Sequence, residues 1–417
     1  MQGHRCWRLP ESAAVEPDTS TDLTIMTTTK GQVAEANRRI DSLTGLRGLA
    51  ALVVLLHHVL ISVPALLAPY RDHAPVDTTE PVAWAMVHTP LHLLWAGHEA
   101  VLVFFVLSGF VLTLPLTAPK RFSWLAYYPA RLVRLYVPIW GSLLLAVAAF
   151  LAVRAASPAA ADRWQDERGM DADIGGLARA AIIVRFAEPY NGPLWSLYWE
   201  ILFSLLLPAF AFLALTPRAS WQLKVALTLS STIAGSMLQL TAPWLGNRLF
   251  YLSIFLIGMV MAAHLDRLRR IGERIYRGPN VGWHSLTILT TACTLLLSHW
   301  FIQAFSANQL LLSSALVLQV VGAALLVYAA MTDPGFKRFL NHRVMAGVGA
   351  ISFSLYLVHY PMLAAVDYLS GGQLWALIAI GIPSSFAAAF AFFRLVEQPS
   401  HRLARQLFRH GDVRRIN

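Results

Sequence analysis

Long apolar runs, separated by short polar connections, constrain this chain more than any other feature of its sequence. A hydrocarbon core about 30 Å thick is crossed by roughly 20 apolar residues in a helix. Inside that core every backbone N–H and C=O must be bonded within its own segment, which favours helices. The runs cover 44–68, 92–115, 136–153, 193–215, 223–240, 248–264, 284–303, 310–331, 344–369 and 373–393. They predict an all-α fold: a polytopic integral membrane bundle of about ten transmembrane helices, within one membrane domain over 38–395. Composition agrees, since 56% of the residues are hydrophobic and 13% charged, against about 25% charged in soluble domains.

Residues 1–37 read as a disordered polar leader without the apolar stretch of a signal peptide. Residues 396–417 read as a basic tail. The net charge of +10 does not call for a nucleic-acid partner, because the basic residues punctuate the apolar runs instead of covering one soluble face. Lys120, Arg121, Arg131 and Arg134, then Arg218, then Arg267, Arg269, Arg270, Arg274 and Arg277, then Lys337, Arg338 and Arg343 occupy alternate connections. Arg38 and Arg39 before the first run share their side, as do Arg402, Arg405, Arg409, Arg414 and Arg415 after the last. The positive-inside bias then predicts an even number of spans with both termini cytoplasmic. The connection 154–192 is mixed in charge, and its amphipathic stretch 176–186 is expected to lie along the outer interface, to act as a lid, or to form a solvated loop with one helical turn. Cys6 and Cys293 form no CxxC or Cys/His pattern, so no disulfide framework and no metal site are read.

Ionisable residues inside a span cost about 2.5–3.5 kcal/mol each at the helix centre, so each needs a reason. The first run holds Arg47, His57 and His58. Arg47 and His58 are eleven residues apart, which places them roughly 20° apart on one helix face and about 16 Å apart along the axis. His57 misses that face by roughly 80°. One stripe therefore carries a cation near the cytoplasmic end and an imidazole in the outer half.

The stretch RIDSLTGLRGLAALVVLLHH (39–58) resembles the opening motif of the acyltransferase family 3 proteins, integral membrane enzymes that acylate hydroxyl groups. Four further stretches resemble that family's signatures in order: VLVFFVLSGF (101–110), ARLVRLYVP (130–138), PLWSLYWEILF (193–203) and ISFSLYLVHYP (351–361). Two positions depart from it: Leu102 stands where many bacterial members carry aspartate, and Ala100 where they often carry glycine. Residues 394–417 follow the last run, so the hydrolase-like C-terminal domain of some members is not expected.

The resemblance implies that Arg47 and His58 are a functional pair, and the helix geometry selects the same two residues. Counting rise from the estimated span ends puts His58, Glu200 and His359 within about 7–10 Å of the outer edge. Arg47, Ser108, Arg131 and Arg134 fall nearer the cytoplasmic side. An acyl-CoA, acetyl-CoA foremost, is the expected co-substrate, with no permanently bound cofactor. The arginines would pair its phosphates, and His58 would act as general base on a hydroxyl of a carbohydrate, glycolipid or related acceptor. Glu200 is expected to orient that imidazole, with His359 alongside. Ser108 lacks a GxSxG context and reads more readily as a small residue that lets helices or a cofactor approach closely than as a nucleophile, and it is expected at the donor site with the arginines. A covalent acyl-histidine step stays open. The expected location is the bacterial inner membrane, in contact with the lipid bilayer. The rival reading is a multi-span transporter, against which stand the lack of an internal repeat and of paired broken spans.

Overall fold

Every regular element among the described residues is helical, as the apolar runs require. The computed structural model describes residues 41–72, 75–118, 122–169, 174–182 and 184–413. The leader expected over 1–37, with Cys6, lies outside the described residues, as do Arg38, Arg39, Lys120, Arg121, Asp171, Asp173, Arg414 and Arg415.

α1 (Asp41–Leu60) enters the bundle, and α2 (Pro64–Asp72) and α3 (Pro81–His88) fold beyond its far end. α4 (Gly97–Thr113) and α5 (Trp124–Ala156) follow, then the connecting helices α6 (Pro158–Arg168) and α7 (Ile174–Ile182). Next come α8 (Leu194–Leu215), α9 (Trp221–Leu238) and α10 (Pro243–Ala263). The amphipathic α11 (Leu265–Ile275) leads to α12 (Val281–Leu296), α13 (Ser298–Gln303) and α14 (Gln309–Thr332). α15 (Pro334–Leu340), α16 (Arg343–Ala350), α17 (Ser352–Ser370) and α18 (Leu374–Leu407) complete the chain.

Seven of these helices are long and apolar enough to cross a bilayer, and the α16–α17 pair, bent by 69°, makes up to eight. That is fewer than the ten runs. The runs at 223–240 and 284–303 are occupied by α9 and by α12 with α13. α9 turns Lys224, Thr228, Thr232 and Ser236 inward along one stripe, which lowers its hydropathy while its place stays inside the bundle. There Thr232 Oγ1 lies 2.8 Å from Ser253 Oγ of α10. α12 has 16 residues and pairs with α14, whose Gly322 backs onto the Ala292 carbonyl. Leu144, Phe212, Leu286 and Phe390 are exposed on the outside, where hydrocarbon replaces water.

Two boundaries move. Ser123 caps α5, accepting from the Ala126 N–H, so the helix starts twelve residues before the expected 136 and carries Arg131 and Arg134 inside it. α18 runs past the expected end at 393, so residues 396–407 belong to the bundle, not to a free basic tail. Their buried face is Glu397, Ser400 and Ala404, at i, i+3 and i+7.

Prolines inside two helices release carbonyls that other elements then take. Pro361 in α17 cannot bond the Leu357 carbonyl, and the Asn191 side-chain amide donates to it at 2.8 Å. Pro208 in α8 frees the Ser204 carbonyl, which accepts from the Tyr127 hydroxyl at 3.4 Å. Each proline therefore becomes an anchor between helices.

α1 and α15–α16 approach closely, as α4 and α10 do at Gly109 and Gly258. A Cβ on Gly48 would stand 2.6 Å from the Gly349 nitrogen, and one on Gly45 would collide with the Leu340 carbonyl. Small residues at such crossings let backbones meet where lipid supplies no hydrophobic drive. Gly48→Val should therefore lower the unfolding temperature in detergent, through overpacking of about 1–3 kcal/mol. Gly282→Val on α12, where a Cβ meets nothing within 4 Å, should leave it unmoved. Equal unfolding temperatures for the two variants would show that the α1–α16 contact is not tight.

Candidate active site

The crossing at Gly48 and Gly349 lies ten residues before a second contact, in which His58 of α1 and, past the bend from α16, His359 of α17 meet, His359 Nε2 lying 3.2 Å from His58 Nδ1. Hydrogen bonding assigns the protons. His359 Nδ1 donates to the Leu355 carbonyl at 2.9 Å, which leaves Nε2 with its lone pair. His58 Nδ1–H then points to the Val54 carbonyl at 2.9 Å and to that lone pair. The His58 Nε2 lone pair is thereby left to take a proton from elsewhere. His359 is buried and His58 half-buried, so the free nitrogen belongs to the accessible ring.

His57 faces another way. Its Nδ1 bonds the Trp95 carbonyl at 3.1 Å, and its ring packs on Tyr70 and Trp95. Behind it the Tyr70 hydroxyl meets His92 Nε2 at 3.0 Å. Burial, with His88 nearby, pushes the His92 imidazole down to about 3, so that ring is uncharged near neutrality.

A second layer lies nearer the Asp41 end. Arg131 of α5 pairs with Glu200 of α8 and donates Nε to Ser204 Oγ at 3.0 Å. The Ser108 hydroxyl of α4 donates to the same Glu200 oxygen at 2.6 Å. Arg134, one turn on, donates Nε to His401 Nε2 at 3.1 Å. Glu397 accepts from Ser354 and lies 3.9 Å from His401. Arg47 is within electrostatic range of Glu397, Glu200 and Arg131. Among the described residues its guanidinium has no hydrogen-bond acceptor. Three guanidiniums face two carboxylates, so the layer keeps a positive charge in a low-dielectric setting, which suits an anion.

The sequence thus finds both layers but misplaces one member. Glu200, expected beside His58, bonds Arg131 and Ser108 instead. The expected start of the third run at 136 leaves Arg131 in the connection, where no partner for Glu200 is expected. Beside His58 stands His359, not Glu200. Ser108 sits in the arginine layer as a hydroxyl donor to Glu200, next to Gly109, whose Cα backs onto the Phe255 carbonyl. Glu397 and His401 went unnoticed because hydropathy ends before them. The i, i+3, i+4, i+7 pattern of Glu397, Ser400, His401 and Ala404, buried at all but His401, is the available signal.

Glu99, in the first turn of α4, is buried, and its Oε1 accepts from Trp300 Nε1 and Gln319 Nε2 at 2.7 Å each. The expected cover at 176–186 is not what reaches the imidazoles. α6 does: Arg168 donates to the Tyr360 hydroxyl, with its guanidinium carbon 5.0 Å from that ring's centre. Tyr360 in turn packs edge-on to His58, centroids 5.3 Å apart. Trp164 stacks on Tyr368 at 5.3 Å and fixes α6 over the end of α17.

A family model described as an acyltransferase domain matches residues 40–394. The chain is similar to the acyltransferase MdmB of Streptomyces mycarofaciens, 27% identical over 403 residues, covering 88% of this chain and 92% of that one. No solved structure matches it.

The Arg131–Glu200 pair is expected to be structural as well as electrostatic, because removing one partner strands a shielded charge. Glu200→Gln should cost on the order of 3 kcal/mol in thermal unfolding, and adding Arg131→Gln should recover part of that. A Glu200→Gln protein as stable as wild type would mean that the pair carries no stability.

Proposed function

The chain belongs to the acyltransferase family whose domain model spans residues 40–394, and from that membership we propose that it is a membrane O-acyltransferase using acyl-CoA. Membership and the apolar helical bundle make it a membrane acyltransferase. The finer reading is that an acyl group, acetyl foremost, passes from cytoplasmic acyl-CoA to a hydroxyl of a carbohydrate, glycolipid or related acceptor. The observation that carries it is the His58–His359 contact, on the same α1 stripe as Arg47 and about 16 Å away along the axis.

The division of labour follows from the two layers. Arg47, Arg131 and Arg134 receive the phosphates of the donor, and its thin pantetheine arm runs along the α1 stripe with the thioester at its end. His58 Nε2 removes the acceptor's hydroxyl proton as the oxygen attacks the thioester carbonyl. The C–S bond breaks, and the thiolate takes the proton back from the imidazolium, leaving an ester and CoA thiol. His359 Nε2, accepting from His58 Nδ1–H, keeps the base in the required tautomer and stabilises its cationic form, as a carboxylate does in a hydrolase triad. Ser108 serves this donor site indirectly, through Glu200 and Arg131.

The charge pattern supports the Asp41 side as cytoplasmic, with both termini there, in a bacterial inner membrane. Arg267, Arg269, Arg270 and Arg274 on α11 lie on that side of the alternation. The arginine layer then faces the compartment that holds acyl-CoA, and the imidazoles lie deeper, towards the acceptor.

Transfer of label from acetyl-CoA in membranes tests the assignment. His58→Ala should lose about 10²–10⁴-fold in rate, His359→Ala less, and His57→Ala only a few-fold. Arg47→Ala should act mainly on the donor, raising the KM for acyl-CoA about tenfold or more. Full transfer by a well-expressed His58→Ala protein would remove His58 as the base.

A further inference from the structure

We infer that the Tyr360 hydroxyl, held by Arg168, is the donor that meets the negative charge on the thioester carbonyl oxygen during acyl transfer. This rests on the acyltransferase reading above and adds to it the group that stabilises the tetrahedral intermediate. The imidazole pair cannot supply that donor. Its two N–H groups are already engaged, His58 Nδ1–H with the Val54 carbonyl and His359 Nε2, and His359 Nδ1–H with the Leu355 carbonyl. The oxyanion therefore needs a hydrogen-bond donor from another side chain.

The hydrogen bonds of α17 single out Tyr360. A phenol carries one proton to donate and can accept as well. The Tyr356 hydroxyl donates to the Pro193 carbonyl at 3.0 Å and lies 2.6 Å from Ser196 Oγ. The Tyr368 hydroxyl donates to Glu167 Oε2 at 2.8 Å and accepts from Arg168 Nε at 3.3 Å. The Tyr360 hydroxyl accepts from Arg168, and among the described residues its own proton has no acceptor. The residue is 8% exposed, so bulk water reaches little of it. A buried donor left unmade is costly, and it calls for a partner that arrives with the substrate. Room for one is kept at the hydroxyl end, because a Cβ on Gly192 would stand 3.2 Å from the Tyr360 oxygen.

Arg168 points to the same role. It is not needed to fasten α6, which the Trp164–Tyr368 stack and Arg163, donating to the Tyr368 carbonyl at 3.2 Å, already hold to α17. Glu167 and Asp367 balance Arg163 and Arg168 electrostatically, and of these four it is Arg168 whose charge reaches His58. A cation there repels the imidazolium that the base becomes, so it does not serve the base. It serves a negative charge that forms beside the base. The attacking oxygen lies within hydrogen-bond reach of His58 Nε2, and the thioester carbon about 3–3.5 Å beyond it. The Tyr360 ring is edge-on to His58 with centroids 5.3 Å apart, so its hydroxyl belongs to the same neighbourhood as the carbonyl oxygen.

The step balances without a further reactant. As the acceptor oxygen bonds to the carbonyl carbon, the C=O π pair moves onto the carbonyl oxygen. Tyr360 O–H hydrogen-bonds that oxygen and keeps its proton, while Arg168 on the phenol oxygen makes the O–H a stronger donor. Collapse returns the pair to the carbonyl, the C–S bond breaks and the thiolate leaves. Tyr360 is then a catalytic residue, and Arg168 a positioning residue that acts through it. The charge they meet exists only in the transition state and intermediate, so their loss falls on kcat and not on KM.

The test follows label from acetyl-CoA in membranes holding the full chain, with kcat per protein copy and KM read separately, and thermal unfolding in detergent alongside. Tyr360→Phe keeps the ring and loses the donor. Its kcat should fall about 10²–10³-fold, with the KM for acetyl-CoA within about twofold of wild type and the unfolding temperature unmoved. Arg168→Ala should lose about tenfold in kcat, and Arg168→Lys should recover part of that. Tyr136→Phe, which removes a hydroxyl bonded to the Ile182 carbonyl at 3.2 Å, should keep the wild-type kcat. Tyr360→difluorotyrosine gives a phenol that ionises at lower pH, and a phenolate cannot donate. The alkaline fall in kcat should therefore begin at lower pH, a change that a packing role would not produce. Full kcat in a well-expressed Tyr360→Phe protein, an alkaline fall unmoved by fluorination, or a kcat loss matched by a lower unfolding temperature overturns the proposal. No transfer by wild type overturns the reaction reading itself, and the proposal with it.

Discussion

The backbone contact between α1 and α16, made through Gly48 and Gly349, governs most of what lies beyond it. In a bilayer, helices gain little from burying apolar surface against each other, so close association depends on tight packing and on small residues that permit it. Ten residues beyond that contact in each segment, past the bend between α16 and α17, His58 meets His359. Pro361 then adds a second constraint. The carbonyl it leaves unbonded is taken by Asn191, which fastens the chain before α8 to the histidine helix. The site is assembled from backbone packing first and side-chain chemistry second.

The arginine layer meets a different constraint. Guanidiniums placed inside a helical bundle are costly unless paired. Here Glu200, Glu397 and several hydroxyls meet most of that cost, and the pairing is incomplete by one charge. A fully neutralised layer would be a structural network; an incompletely neutralised one attracts an anion. Ser108 and Ser204 bond the Glu200–Arg131 pair and hold its geometry, and so two serines that carry no charge help to define where an anion would sit.

Much of this was legible in residue order because helices impose a period. Eleven residues between Arg47 and His58 mean one face, whatever surrounds the helix. The failures have a common origin. Glu200 is counted from the start of its own run, which α8 keeps, but its partner Arg131 lies outside the expected third run, because hydropathy reports a helix start poorly when arginines lie inside the first turns, as in α5. Glu397 and His401 were lost because α18 continues into polar sequence. α9 shows the converse case, in which threonines and a lysine turned inward make an enclosed helix look less apolar than it needs to be.

The sequence by itself determined that the chain is a helical membrane protein, that Arg47 and His58 share a stripe, and, through five ordered motifs, which family it resembles. These are properties of one segment at a time, set by backbone hydrogen bonding in hydrocarbon and by the helical period. Only the tertiary structure decided which groups meet: His359 with His58, Glu200 with Arg131, Arg168 with Tyr360, and the aromatic residues of α8 with those of α10. Those partnerships join residues from 52 to 301 positions apart along the chain. They depend on crossing points and helix starts, and no local pattern in the sequence encodes either.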